Sequence, residues 1–202
     1  MKSFLVRAQK SELPEDFVPL IENWINELDQ DEHDDGTAIL DYLKKHKEMS
    51  IEKGNPNQPL YRGIGLGPEM MASFHEKGRI IVEYKKIFSW SKDRDIGVEF
   101  QKMNDLSGWF SLLLRAKIPA EQRVIDLTAY DFESEGEVLC LNFPIERKHV
   151  EGIRFNYDVI HEINFNKKNK KDVKKYEDLT WNDIPSFLNK GFEIRKRYGH
   201  ND

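Results

Sequence analysis

The chain has one cysteine in 202 residues, Cys140, so no disulfide can form within it. A lone thiol in an apolar run reads as a small buried side chain, and a reducing compartment is expected. No apolar run reaches the ~18 residues of a membrane helix, so a membrane span is excluded and no membrane partner is expected. The opening stretch MKSFLVRAQKSELPEDF has no apolar signal core, and action in the cytoplasm is expected. The six histidines, among them His75, His149 and His161, form neither an i, i+4 pair nor HExxH, so no metal is expected. GIGLGPE carries Gly63, Gly65 and Gly67 but lacks the third glycine of a dinucleotide loop. A backbone turn feeding a helix is the expectation there. In DQDEHDDG, counted from Asp31, glycine falls sixth, but the twelfth residue is Tyr42 rather than a glutamate. A solvated acidic loop is expected instead of a calcium site. The net charge of −5 argues against nucleic acid as the main partner, which stays open only through the lysine-rich run at 167–175.

What is present is a polar, soluble composition, 39% hydrophobic and 33% charged, with no internal repeat. It reads as a single domain in three segments. Residues 1–58 are helical: Phe17, Leu20, Ile21, Trp24, Ile25 and Leu28 recur at spacings of three and four after Ser11 and Pro14, and TAILDYLKKHKEMSIEKG predicts a second helix ending at Gly54. Residues 59–165 are strand-rich, with strands expected at 59–63, 79–90, 109–118, 123–126, 137–143 and 153–165. Two helices interrupt them, GLGPEMMASFHEKG, with Pro68 in its first turn, and SKDRDIGVEFQKM. Residues 166–202 open on NKKNKKDVKK and close on a helical tail, LTWNDIPSFLNKGFEIRKR.

Three features stand out in order along the middle segment. In LYRG, Arg62 follows an aromatic on a short strand, where its planar fork can meet a phosphate or carboxylate, or simply a surface partner. In IFSWSKD, Ser89 and Ser91 share one strand face and Phe88 and Trp90 the other; hydroxyls so placed also pair across strands. In ESEGEVLCL, glutamates stand at 133, 135 and 137 just before an apolar run. Alternation would put all three on one face, an arrangement that like charges oppose.

Together these resemble the arginine–serine–glutamate class of mono-ADP-ribosyltransferases over roughly residues 59 to 160. LYRG matches the family's first motif at Arg62. FSWS matches its serine strand at Ser89 and Ser91, with Trp90 in place of the usual threonine, and Gly97 and Phe100 keep the small and aromatic positions of the next helix. EGEVL matches the glutamate motif at Glu135 and Glu137, and DLTAYDFES resembles the family's target-facing loop, with Tyr130 or Phe132 as the exposed aromatic. The resemblance implies an α+β fold, two small antiparallel sheets around an NAD cleft with the N-terminal helices beside it. It implies that NAD is a substrate, held by Tyr61, Arg62, Gly63, Ser89, Ser91 and Glu137.

The implied reaction moves ADP-ribose from NAD to a protein acceptor, with arginine the acceptor associated with Glu-x-Glu. Cleavage of the nicotinamide–ribose bond passes through an oxocarbenium-like state, as in glycoside hydrolysis. Glu137 would accept from the ribose hydroxyl and stabilise the sugar's positive charge. Glu135 would orient or deprotonate the acceptor, and Tyr130 or Phe132 would contact it. Ser89 would position Glu137 and the ribose, Ser91 would support the strand, and Glu133 has no derived role. Such compact enzymes occur in bacteriophages, where they modify host proteins, and among bacterial toxins. An NAD glycohydrolase using water, or an inactive binding module of the same fold, are the alternatives. If Arg62 holds an NAD phosphate, Arg62→Lys should weaken NAD binding about tenfold or more, the worth of a charge-assisted hydrogen bond. Calorimetry showing unchanged affinity in the folded variant removes Arg62 from the site.

Overall fold

A computed structural model describes residues 13–26, 36–46, 58–81, 87–104, 108–118, 124–127, 136–156 and 178–198. These residues form a mixed α+β structure with antiparallel strand pairs and five α-helices. None of the described helices is long and apolar enough to cross a membrane. The chain forms two compact units, each assembled from three separate stretches: 1–60, 82–93 and 117–143 in one, 61–81, 94–116 and 144–202 in the other. The units therefore interleave along the chain instead of following one another.

The first unit contains α1 (Val18–Asn26), α2 (Thr37–Lys45) and the strands β3 (Ile87–Ser91), β5 (Val124–Asp126) and β6 (Glu137–Leu141). The strands run antiparallel in the order β5-β6-β3. The predicted spacing of α1 is observed: Leu13, Phe17, Ile21 and Trp24 are buried. The Pro14 carbonyl accepts from the amides of Phe17 at 2.9 Å and Val18 at 3.2 Å, which closes the first turn. Ile39 and Leu43 of α2 join the same core, with Ile87, Ile125, Leu127 and Leu139 from the strands. Ile87, Leu139 and Ile125 share a strand face by register, so the two helices cover the face that also carries Ser89 and Ser91. The opposite face is buried too. Trp90, 1% exposed, stacks on Phe143 with ring centroids 5.5 Å apart, beside Phe88, Cys140 and Val138.

The second unit holds most of β1 (Pro59–Leu66), with α3 (Pro68–Lys77), β2 (Arg79–Ile80), α4 (Arg94–Met103), β4 (Phe110–Lys117), β7 (Ile145–Glu146), β8 (Val150–Phe155) and α5 (Ile184–Tyr198). Its larger set of strands has the order β1-β4-β8, and β2 pairs with β7. Phe110 lies opposite Phe155 in the β4–β8 ladder, and Phe155 meets Phe187 of α5, a row of three aromatic rings through the core. Helix α3 has Pro at its first turn and ends on Gly78, whose φ of 72° is the left-handed conformation glycine adopts without strain. Between β7 and β8, the turn Arg147–His149 is closed by the Glu146 amide donating to His149 Nδ1 at 3.1 Å. Partial burial, aided by Lys148, holds that imidazole below the usual histidine range and keeps the ring an acceptor.

Four sequence expectations change. The run at 79–90 is two strands, β2 and β3, in different units. Ile145–Glu146 is an added strand, and β8 starts at Val150, ahead of the expected 153. The expected extensions, of the second helix past 46 and the last strand past 156, lie outside the described residues, as do the acidic loop from Asp31 and the lysine-rich run. GIGL is not a turn: β1 continues to Leu66, so Gly63 and Gly65 are strand residues. Their reason is tertiary. A Cβ on Gly63 would lie 2.0 Å from the backbone nitrogen of Gln101 in α4, and one on Gly97 would lie 2.8 Å from the Cβ of Tyr61. Two missing side chains let α4 lie directly on β1. The end of α4 is then tied down by polar groups. The Gln101 amide donates to the Ser111 carbonyl at 3.1 Å, and the Ser111 hydroxyl donates to the Asn104 carbonyl at 2.5 Å.

Gly63→Ala should therefore cost about 3 kcal/mol or more, since backbone must move to admit the methyl group. Gly65→Ala meets only the Asn104 side chain, at 3.0 Å, and should cost clearly less. Thermal melts of the two variants give the comparison; equal losses would refute the close approach as the reason for Gly63.

Candidate active site

The glutamate motif enters its strand through a glycine that the geometry requires. Gly136 has φ 69°, and its carbonyl accepts from the Lys92 amide at 3.0 Å, which closes the strand pair at this end. A Cβ there would make only ordinary contacts, the nearest at 3.7 Å, so conformation rather than space selects glycine. Strand β6 then begins at Glu137. Gly136 itself, with its positive φ, is not extended, and the alternation argument concerns Glu133 and Glu135. Those glutamates, with Tyr130 and Phe132, lie outside the described residues.

Register places Ser91 directly opposite Glu137 and Ser89 opposite Leu139. All four side chains share one face, with Ser91 as the direct neighbour of the carboxylate and Ser89 on its diagonal. Ser91 is 5% exposed, and its hydroxyl oxygen accepts from the Asp93 amide at 2.9 Å, in the turn that leads into α4. Ser89 is half-buried. The structure thus brings Ser89, Ser91 and Glu137 onto paired strands of one unit.

Glu137 is 8% exposed, and a buried carboxylate needs a partner. The partner is the indole of Trp24, near the end of α1, whose Nε1–H donates to Oε1 at 3.2 Å. Sequence spacing marks Trp24 as a core residue and nothing more, because its polar contact is made 113 positions away. The nearby cation takes another course. Lys92 pairs with Asp126, which lies opposite Val138 on the other face of the strands. Among the described residues no cation pairs with Glu137. The site therefore presents a carboxyl group that is buried and held in direction by a neutral donor.

Tyr61, Arg62 and Gly63 belong to the other unit, on β1. Tyr61 and Arg62 are half-buried, and Gly63 is accounted for by the approach of α4. Gly97 has the same packing role, while Phe100 on α4 is 37% exposed. Cys140 is buried opposite Phe88. Among the described residues no three histidine, cysteine or acidic side chains cluster as metal ligands would. Comparison of the chain with protein-family models, curated proteins and solved structures returns no match.

The two faces of β3 make different demands. Trp90→Ala should lower stability by about 3–5 kcal/mol, the cost of emptying a buried aromatic site. Ser89→Ala should leave the melt nearly unchanged. A melt that falls for Ser89→Ala and not for Trp90→Ala reverses this assignment of the faces.

Proposed function

We propose that the protein is an NAD-dependent mono-ADP-ribosyltransferase of the arginine–serine–glutamate type, with that family's two-sheet fold. It transfers ADP-ribose to an arginine of a cytoplasmic protein, a host protein if the enzyme is a phage effector, and releases nicotinamide. The observation that carries this reading is Glu137: a buried carboxylate at the first position of β6, facing Ser91, with a neutral hydrogen-bond donor and no cation paired to it among the described residues. A carboxylate so placed suits a reaction whose sugar becomes positive. The order of LYRG, FSWS and EGEVL along the chain supports the same class.

In this reading Glu137 accepts a hydrogen bond from the nicotinamide-ribose hydroxyl and stabilises the sugar as the carbon–nitrogen bond breaks. The bonding pair leaves with nicotinamide, which departs neutral and needs no strong acid. The acceptor guanidinium is protonated at neutral pH; its nitrogen bonds to the sugar carbon as Glu135 takes the proton. Arg62 holds an NAD phosphate, and Ser89 and Ser91 keep the carboxylate and ribose in place.

Incubation with NAD, with and without a cell lysate, tests this directly by nicotinamide release and protein labelling. Glu137→Gln keeps the shape and removes the charge. Both activities should fall together, about a hundred- to a thousandfold, equivalent to about 2.7–4 kcal/mol. Glu135→Gln should lose most arginine labelling yet retain NAD hydrolysis, because water needs less help than a guanidinium. Full activity in Glu137→Gln refutes the transferase reading; equal loss of both activities in Glu135→Gln refutes the division of labour.

A further inference from the structure

We infer that Trp24 is a positioning residue for Glu137, which makes the N-terminal helix α1 a working part of the catalytic unit; the inference rests on the reading of Glu137 as the catalytic carboxylate. Its basis is the indole–carboxylate hydrogen bond of 3.2 Å between two buried side chains, 5% and 8% exposed. A tryptophan N–H is a donor only and carries no charge. It fixes the direction of a carboxylate without offsetting its negative charge. An arginine or lysine in the same place would fix the direction too, but would cancel much of the field that a cationic sugar requires.

The neighbouring charges agree with that division. Lys92 directly follows Ser91, the residue opposite Glu137, yet it pairs with Asp126 on the other face. The indole is itself held. Trp24 packs in the core formed by Phe17, Ile21, Ile39 and Leu139, so its ring plane is set by the packing of α1 and α2 on the strands. A donor locked by its surroundings preorganises its acceptor, whereas a mobile one would not. The bond occupies Oε1, and in this inference the ribose hydroxyl is assigned to the second oxygen, Oε2.

Trp24→Phe keeps an aromatic ring in the core and removes only the N–H. In the full-length protein its kcat for nicotinamide release should fall about 10- to 100-fold, the worth of one hydrogen bond to a charged group. Its KM for NAD should stay within about twofold, since the bond acts on the reacting carboxylate and not on the phosphates. A packing role alone would lower the melt and leave kcat of the folded enzyme unchanged, and that result overturns the inference. A rise in kcat overturns it as well, because it would show Trp24 masking Glu137. A second measurement needs neither NAD nor a folded Trp24→Phe. The indole ¹⁵N–¹H resonance of Trp24, assigned among the four tryptophans, should shift in Glu137→Gln while the other three stay in place. No shift shows that the hydrogen bond is not formed. If the unaltered protein releases no nicotinamide, the transferase reading fails and the positioning role fails with it, whereas a shifted resonance would still establish the bond.

Discussion

The cost of burying one negative charge organises the first unit. Removing a carboxylate from water is expensive unless hydrogen bonds replace the lost solvent, and Glu137 is only 8% exposed. The compensation comes from the far end of the chain order, through an indole on α1. That donor must be held still, so α1 and α2 are packed against the strand face that the carboxylate shares. The local backbone serves the same end. Gly136 takes a conformation few other residues accept, and it closes the β3–β6 pair so that Glu137 is the first paired residue.

The second unit is governed by the absence of side chains. At Gly63 and Gly97 a strand and a helix meet with nothing between their backbones. A second such meeting joins Gly108 to Gly191 of α5, where an added Cβ would lie 2.8 Å from the Gly108 carbonyl oxygen. Close contact of this kind leaves little freedom to slide, and the polar ties of Gln101 and Ser111 remove more of it. The segment bearing Tyr61 and Arg62 is thus held against α4 by direct backbone contact.

Local signals were legible where they had local causes. The spacing of Phe17, Ile21 and Trp24, Pro68 at the start of α3, and the alternation of Ser89 and Trp90 are each set by the periodicity of the element in which they lie. The failures have distant causes. Gly63 and Gly65 look like turn residues because glycine is the common punctuation of loops, but an α4 contact some forty positions on explains Gly63. The run at 79–90 reads as one stretch of strand formers broken only by single charges and a lysine pair, and nothing in it shows that its two ends pair with different partners. In the site, the serine face could be read from alternation. The donor to Glu137 could not, since tryptophan on an apolar helix face is the ordinary mark of a core. Nor could the break at Gly136 be seen without its backbone angle, because Glu-Gly-Glu is compatible with continuous alternation on paper.

The interleaving of the two units has a consequence for how the protein comes into being. A ribosome releases the chain from its N-terminus, and domains made of one stretch can fold as soon as that stretch emerges. Here neither unit is one stretch. The first waits for β6, near residue 140, before α1 has a sheet to cover, and the second waits for α5 at the end of the chain. A nascent chain thus carries its N-terminal helices and its serine strand before Glu137, the residue that pairs opposite Ser91, has been made. Under the proposed transferase reading, a nascent chain that has not reached Glu137 lacks its reacting carboxylate and is inert.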